Sequence, residues 1–205
     1  MVRAMRVLRP ASEAEVVASF LRGELESPRY GDRLLELLGH DAKDASLLAQ
    51  PNVGDADENA YREALLDRHR GWTRRKGLFE GLPKRIDWFR AALTPAEVLA
   101  IRYINWDWWL ELSGGTRQPL EAARRIRHRE FVGSTAEEHH PIAARLRTDE
   151  PPPELIAVAP PDHSRIVLVE GHVRLTAYAL YPDYLPDALE ILLGLSDEIE
   201  RWSEF

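Results

Sequence analysis

Glu170, Gly171, His172 and Arg174 fall within five residues, at the end of the apolar run "RIVLVE". An acid, a glycine, an imidazole and a guanidinium this close together form a set able to handle an anion. Gly171 permits a backbone angle or a close approach that a Cβ prevents. A helix opening just after it points free N–H groups at whatever lies over the turn, and its dipole favours negative charge there. His172 adds a donor, and Arg174 suits bidentate phosphate recognition. Glu170 repels phosphate, so its chemistry is that of a general base for a hydroxyl or a magnesium ligand. The same residues also admit a structural reading, with Glu170 and Arg174 as an ion pair fixing the turn and His172 bonded to a backbone carbonyl.

A second glycine turn, "ELSGGTRQPLEAARRI", lies upstream. Ser113 to Arg117 can form a backbone nest. Thr116 either caps the following helix or touches a phosphate, and Arg117 is placed to reach the same anion as Arg174. Asp107 and Glu111 sit beside it and are candidates for a catalytic acid, or else are solvated side chains. Their neighbours Trp106, Trp108 and Trp109 read as packing rather than as a base-stacking platform. His139 and His140 are adjacent on a helix, point in different directions and make a poor metal pair. The basic stretch "RHRGWTRRK" has the composition of nucleic-acid sites, but on an acidic chain it reads as a solvated loop or a contact to an acidic partner.

These residues need elements to hold them. "ELIAVA" and "RIVLVE" read as strands joined by the turn "PPDHS". A helix follows in "LTAYAL" and a third strand in "ALEILLGLS". The order is strand, hairpin, strand, turn, helix, strand. Upstream, "AIRYINWDWWLELS" is aromatic and β-branched, which fits a strand or a strand-like crossing of the core. Thr94, Pro95 and Glu97 make a helix start, and another helix begins near Pro119. Residues 10–92 read as mostly helical. Ser12 with Glu15 forms a capping box, and Val16, Val17, Phe20, Leu21 and Leu25 follow at helical spacing. The expected organisation is α+β: a helical region over 1–92 packed on an α/β region over 93–205.

Composition narrows the function classes. The 205 residues carry a net charge of −7, which disfavours sequence-independent binding to duplex DNA. No cysteine is present, so thiolate nucleophiles and zinc–thiolate sites are excluded. No 18-residue apolar run marks a membrane span, and the start "MVRAMRVLRPASEAEVV" has no apolar segment of the signal-peptide kind. The default compartment is the cytoplasm.

"ELIAVAPPDHSRIVLVEGHVRLTAYAL" resembles the ParB/sulfiredoxin fold, whose signature is an apolar strand, an acid-Gly-His-x-Arg turn and a helix. Glu170, Gly171, His172 and Arg174 match it in place. The likeness covers roughly residues 93–205 and is sharp over about 155–180. It implies a turn that grips nucleotide phosphates, from ATP or another nucleotide with Mg2+. Sulfiredoxin chemistry needs a cysteine in the turn, and partition proteins carry a longer Arg-rich version, so the free-serine-kinase branch is nearest. The implied activity is phosphotransfer from ATP or ADP to a hydroxyl of a small-molecule substrate, or nucleotide hydrolysis. The alternative is a nucleotide-sensing module that meets a protein or nucleic-acid partner, with a homo-oligomer among the assemblies it allows.

Overall fold

The computed structural model describes residues 5–205. Residues 1–4, on which the reading of the amino terminus rests in part, lie outside the described residues. The chain forms two compact units, one made of the stretch ending at Pro10 together with Pro83–Phe205, the other of Ala11–Leu82.

The Ala11–Leu82 unit is helical: α1 Glu13–Leu25, α2 Gly31–His40, α3 Ser46–Ala49 and α4 Ala56–Arg70. The capping box at the start of α1 is formed, with Ser12 Oγ accepting from Glu15 N at 3.2 Å and Glu15 Oε2 accepting from Ser12 N at 3.0 Å. The helix then buries Val16, Val17, Phe20 and Leu21. Phe79 joins this core, 5.5 Å from Phe20 and edge-on to Trp72 at 4.8 Å. The basic stretch after α4 is engaged within the unit. His69 and Arg70 both hold the buried Glu24, Arg74 pairs with Asp67, and Arg75 lies over the ring of the buried Trp72. Its Trp is core, not a platform for bases.

The second unit contains β1 Arg6–Pro10, β2 Asp87–Leu93, α5 Pro95–Val98, α6 Asp107–Leu112, α7 Pro119–Arg127, α8 Ala136–Ala144, β3 Ile156–Ala159, β4 Val167–Glu170, α9 His172–Leu180 and β5 Leu189–Leu195. The strands form one sheet in the order β1-β2-β5-β3-β4. β3 and β4 are an antiparallel hairpin, and β3 runs parallel to β5. The chain therefore crosses from the hairpin to β5 through α9, which covers the sheet with Leu175, Ala177, Tyr178 and Leu180. The protein is α+β. The expected strand, hairpin, strand, turn, helix, strand order is present over its last quarter.

Three stretches differ from the expectation, the first being β1, an edge strand inside the region expected to be helical. β2, read with the helical region, is a central strand paired to both β1 and β5. The segment "AIRYINWDWWLELS" is not a strand. Only Arg102 bridges Val167. Tyr103 then gives its N–H to Arg117 O at 2.9 Å, so the backbone leaves the sheet for the glycine turn and enters α6 at Asp107. Among the described residues no helix is long and apolar enough to cross a membrane.

Candidate functional site

β4 ends by presenting Glu170 at the sheet's carboxyl edge, and Gly171 turns the chain with φ +105° and ψ 21°. A side chain is excluded here by space as well as by angle: an ideal Cβ on Gly171 lies 2.6 Å from Leu155 Cδ2 and 3.3 Å from the Arg174 guanidinium. The first helical bond of α9 runs from Leu175 N to Gly171 O at 2.8 Å, and no side chain caps the helix. In the first turn Val173 is half exposed, while Gly171, His172 and Arg174 are buried.

Glu170, Gly171, His172 and Arg174 lie together at this turn. Arg174 is buried and donates from Nη1 to Pro153 O at 2.7 Å and from Nη2 to Glu170 Oε1 at 3.0 Å. Its guanidinium therefore binds the turn to β4 and to the residues before β3. His172 is buried and stacks on Trp109, with ring centroids 4.8 Å apart and planes 21° from parallel. Tyr103 stacks on Trp109 as well, at 5.0 Å and 26°. A chain of hydroxyls fixes this stack. Thr176 Oγ1 donates to His172 O at 2.8 Å, so its one proton is taken and Tyr103 OH donates to it at 2.7 Å. Burial pushes the Tyr103 phenol well above its ordinary value.

The upstream glycine turn is a separate structure joined to the first through Tyr103. Gly114, Gly115 and Arg117 all have positive φ, at 60°, 82° and 61°. Ser113 Oγ donates to Trp109 O and accepts from Arg117 N, and Thr116 Oγ1 donates to Ser113 O at 2.8 Å. Arg117 Nε donates to Tyr103 O at 2.8 Å, Nη1 to Phe205 O at 2.7 Å and Nη2 to Glu204 O at 2.8 Å. Thr116 and Arg117 thus hold the turn and the last residues of the chain. Asp107 and Glu111 are exposed on α6. Asp107 bears on Glu204, whose carboxyl is pushed up mainly by burial.

A pocket of about 240 Å³ opens beside the first turns of α9. Trp108, Trp109, Glu138, His139, Val173 and Thr176 are among its walls. Sequence reasoning assigned Trp109 to packing and did not single out Tyr103, Thr176 or Glu138. The signal for Glu138 was the pair Thr135 and Glu138, a capping box that places the carboxylate at the start of α8.

Magnesium fits this site poorly as a protein-held ion. The turn offers one carboxylate, Glu170, already paired with Arg174. Among the described residues no group of three or more His, Asp or Glu side chains is placed to hold a metal. No family model matches the chain, and no curated protein or solved structure matches it significantly.

Proposed function

We propose that the α/β unit is a ParB/sulfiredoxin-like module that binds a nucleotide, with phosphate seated over the Gly171 turn. The observation that carries this reading is the amino-terminal end of α9, delivered by a strand and a left-handed glycine and given no side-chain cap. Its N–H groups and roughly half a positive charge favour an anion. Arg174 acts as a positioning residue that holds the turn from behind. Binding and sensing is preferred to turnover because Glu170 is held by Arg174, and because Asp107 and Glu111 stand exposed on α6.

Phosphotransfer to a hydroxyl substrate is the second reading, favoured by the place of Glu170 at the strand end directly before α9. Glu170 would then take the acceptor's proton.

Val173→Asp tests the phosphate seat. Val173 is half exposed in the first turn of α9, where a carboxylate stabilises the helix by about 0.3–1 kcal/mol while repelling a bound anion. Calorimetric titration with ATP, ADP, CTP, GTP and inorganic phosphate, with and without magnesium, should show binding by the parent. The variant should bind about ten-fold or more weakly, a loss of about 1.4 kcal/mol or more, with an unchanged or higher melting temperature. No binding by the parent at millimolar concentration, or equal binding by the variant, rejects the reading. Phosphate release with the parent that is lost in Glu170→Gln would favour the enzyme.

A further inference from the structure

We infer that the face formed by α6, residues 131–134, α8 and the first turn of α9 docks a basic segment of a partner protein, one large apolar side chain of which enters the pocket between them. The apolar half comes first. Trp106, Trp108, Val132 and Val173 are 44%, 47%, 98% and 50% exposed. Trp108 and Val173 line the pocket together with Leu112, Gly133 and Ile142. Apolar side chains left in water around one cavity mark a surface that another protein covers. The seat is also held in place. Trp108 stands edge-on to Phe131 at 5.1 Å, and so close to Gly133 that a Cβ there would lie 2.7 Å from Cη2. Tyr103 and His172 both stack on Trp109, at 5.0 and 4.8 Å, while their own centroids are 6.1 Å apart, so both brace one face of that indole. At about 240 Å³ the space takes one large side chain, and a single buried anchor of that kind often dominates a protein interface.

Charge selects the occupant. Asp107 and Glu111 are exposed on α6, and Glu137 and Glu138 are exposed in the first turn of α8. The basic residues of α7 do not offset them, because Arg124 and Arg125 are held by Glu121 and Glu130. In the stretch 128–134 Arg129 supplies one exposed guanidinium, so the face stays acidic. Such a face repels nucleic acid and an anionic membrane. It also repels a second copy of itself, since a two-fold contact sets the same carboxylates against each other. It attracts lysine and arginine, whose long stems cover apolar surface while their charged heads stay in water. The fitting partner is therefore a segment with an apolar anchor flanked by basic residues.

This inference goes beyond the phosphate seat, and its probes carry no phosphate. Acetylated and amidated peptides of sequence KKLFKK, EELFEE and KKSSKK would be titrated by calorimetry into the full chain, at about 0.05 M and about 1 M sodium chloride. KKLFKK should bind about ten-fold or more tightly than either of the others. High salt should remove its advantage over EELFEE and leave its advantage over KKSSKK. Glu111→Lys combined with Glu137→Gln alters only exposed side chains. It should weaken KKLFKK binding about ten-fold at an unchanged melting temperature. Trp108→Ala should abolish the preference for KKLFKK over KKSSKK. Val132→Ser, at a fully exposed position, should reduce that preference without any loss of fold. Equal binding of KKLFKK and either control peptide, or no binding of KKLFKK at millimolar concentration, overturns the inference. So does a dimer in analytical ultracentrifugation that Trp108→Ala dissolves, because a second copy would then be the occupant.

Discussion

Gly171→Ala probes how far the turn is a backbone device. The native φ of +105° lies outside the region that side-chain-bearing residues adopt, and holding alanine there costs on the order of 1–3 kcal/mol. The new methyl would also sit 2.6 Å from Leu155 Cδ2. Leu155 is 1% exposed, so it cannot step aside into solvent, and overpacking of this kind costs about 1–3 kcal/mol. The two terms together give roughly 2–6 kcal/mol, a large share of the roughly 5–15 kcal/mol typical of a folded domain.

Urea denaturation should therefore show a lower midpoint with an unchanged slope. Leu155→Ala separates the two terms. Alone it should cost about 2–5 kcal/mol through the cavity it leaves. Combined with Gly171→Ala it removes the collision, so the double variant should be about 1–3 kcal/mol more stable than the sum of the singles predicts. The backbone term should remain. A Gly171→Ala protein within about 0.5 kcal/mol of the parent would refute the strain argument, and strict additivity in the cycle would refute the steric one.

Other substitutions test the supporting structure. Arg62 is fully buried, and it donates to Leu47 O and Asn52 O as well as to Glu58 and Asn59. Arg62→Met should destabilise the helical unit by about 2–4 kcal/mol by stranding those carbonyls, read as faster amide exchange in α4. Burial pushes the Tyr178 phenol up to about 12 from 10. The folded phenol stays neutral while the unfolded one ionises, so stability should be intact below pH 10 and fall between pH 10 and 12. Tyr178→Phe should flatten that fall in denaturation curves taken across the window. The Glu204 carboxyl is raised from 4.5, chiefly by burial. Its contribution is therefore present below pH 4.5 and lost as pH rises through the folded value. Glu204→Gln should melt at or above the parent temperature at pH 7 and lose that advantage in acid.

What the sequence made legible is what is local in the chain. The box at Ser12 and Glu15, the helix at Pro119 and the run from β3 to β5 each depend on neighbours a few residues apart. β1 escaped because all five of its residues are exposed, so no alternation of buried and exposed positions marks it. β2 escaped because burial along "DWFRAAL" is irregular and Ala and Leu also suit helices. In the "NWDWWLEL" stretch the aromatic composition favoured a strand, but Trp106 and Trp108 are half exposed, Asn105 N bonds Glu204 O and the rest closes its hydrogen bonds as α6. The quartet at the site was visible because Glu170 to Arg174 is contiguous. The partners of Arg174 and Arg117 were not, since Pro153 O, Glu204 O and Phe205 O are backbone acceptors that carry no side-chain signature.

Tyr103 is the residue through which the two glycine turns become one structure. Its carbonyl takes Arg117 Nε and its N–H gives to Arg117 O, so the upstream turn holds its backbone from both sides. Its hydroxyl reaches Thr176, one turn into α9, and Thr176 in turn holds the carbonyl of His172. Its ring and that of His172 press on the same face of Trp109. A shift of the Gly114 turn therefore cannot leave Trp109 in place: the backbone clamp, the hydroxyl chain and the stack all pass through Tyr103, which is buried. The indole that faces the pocket is positioned by residues up to 73 apart in sequence.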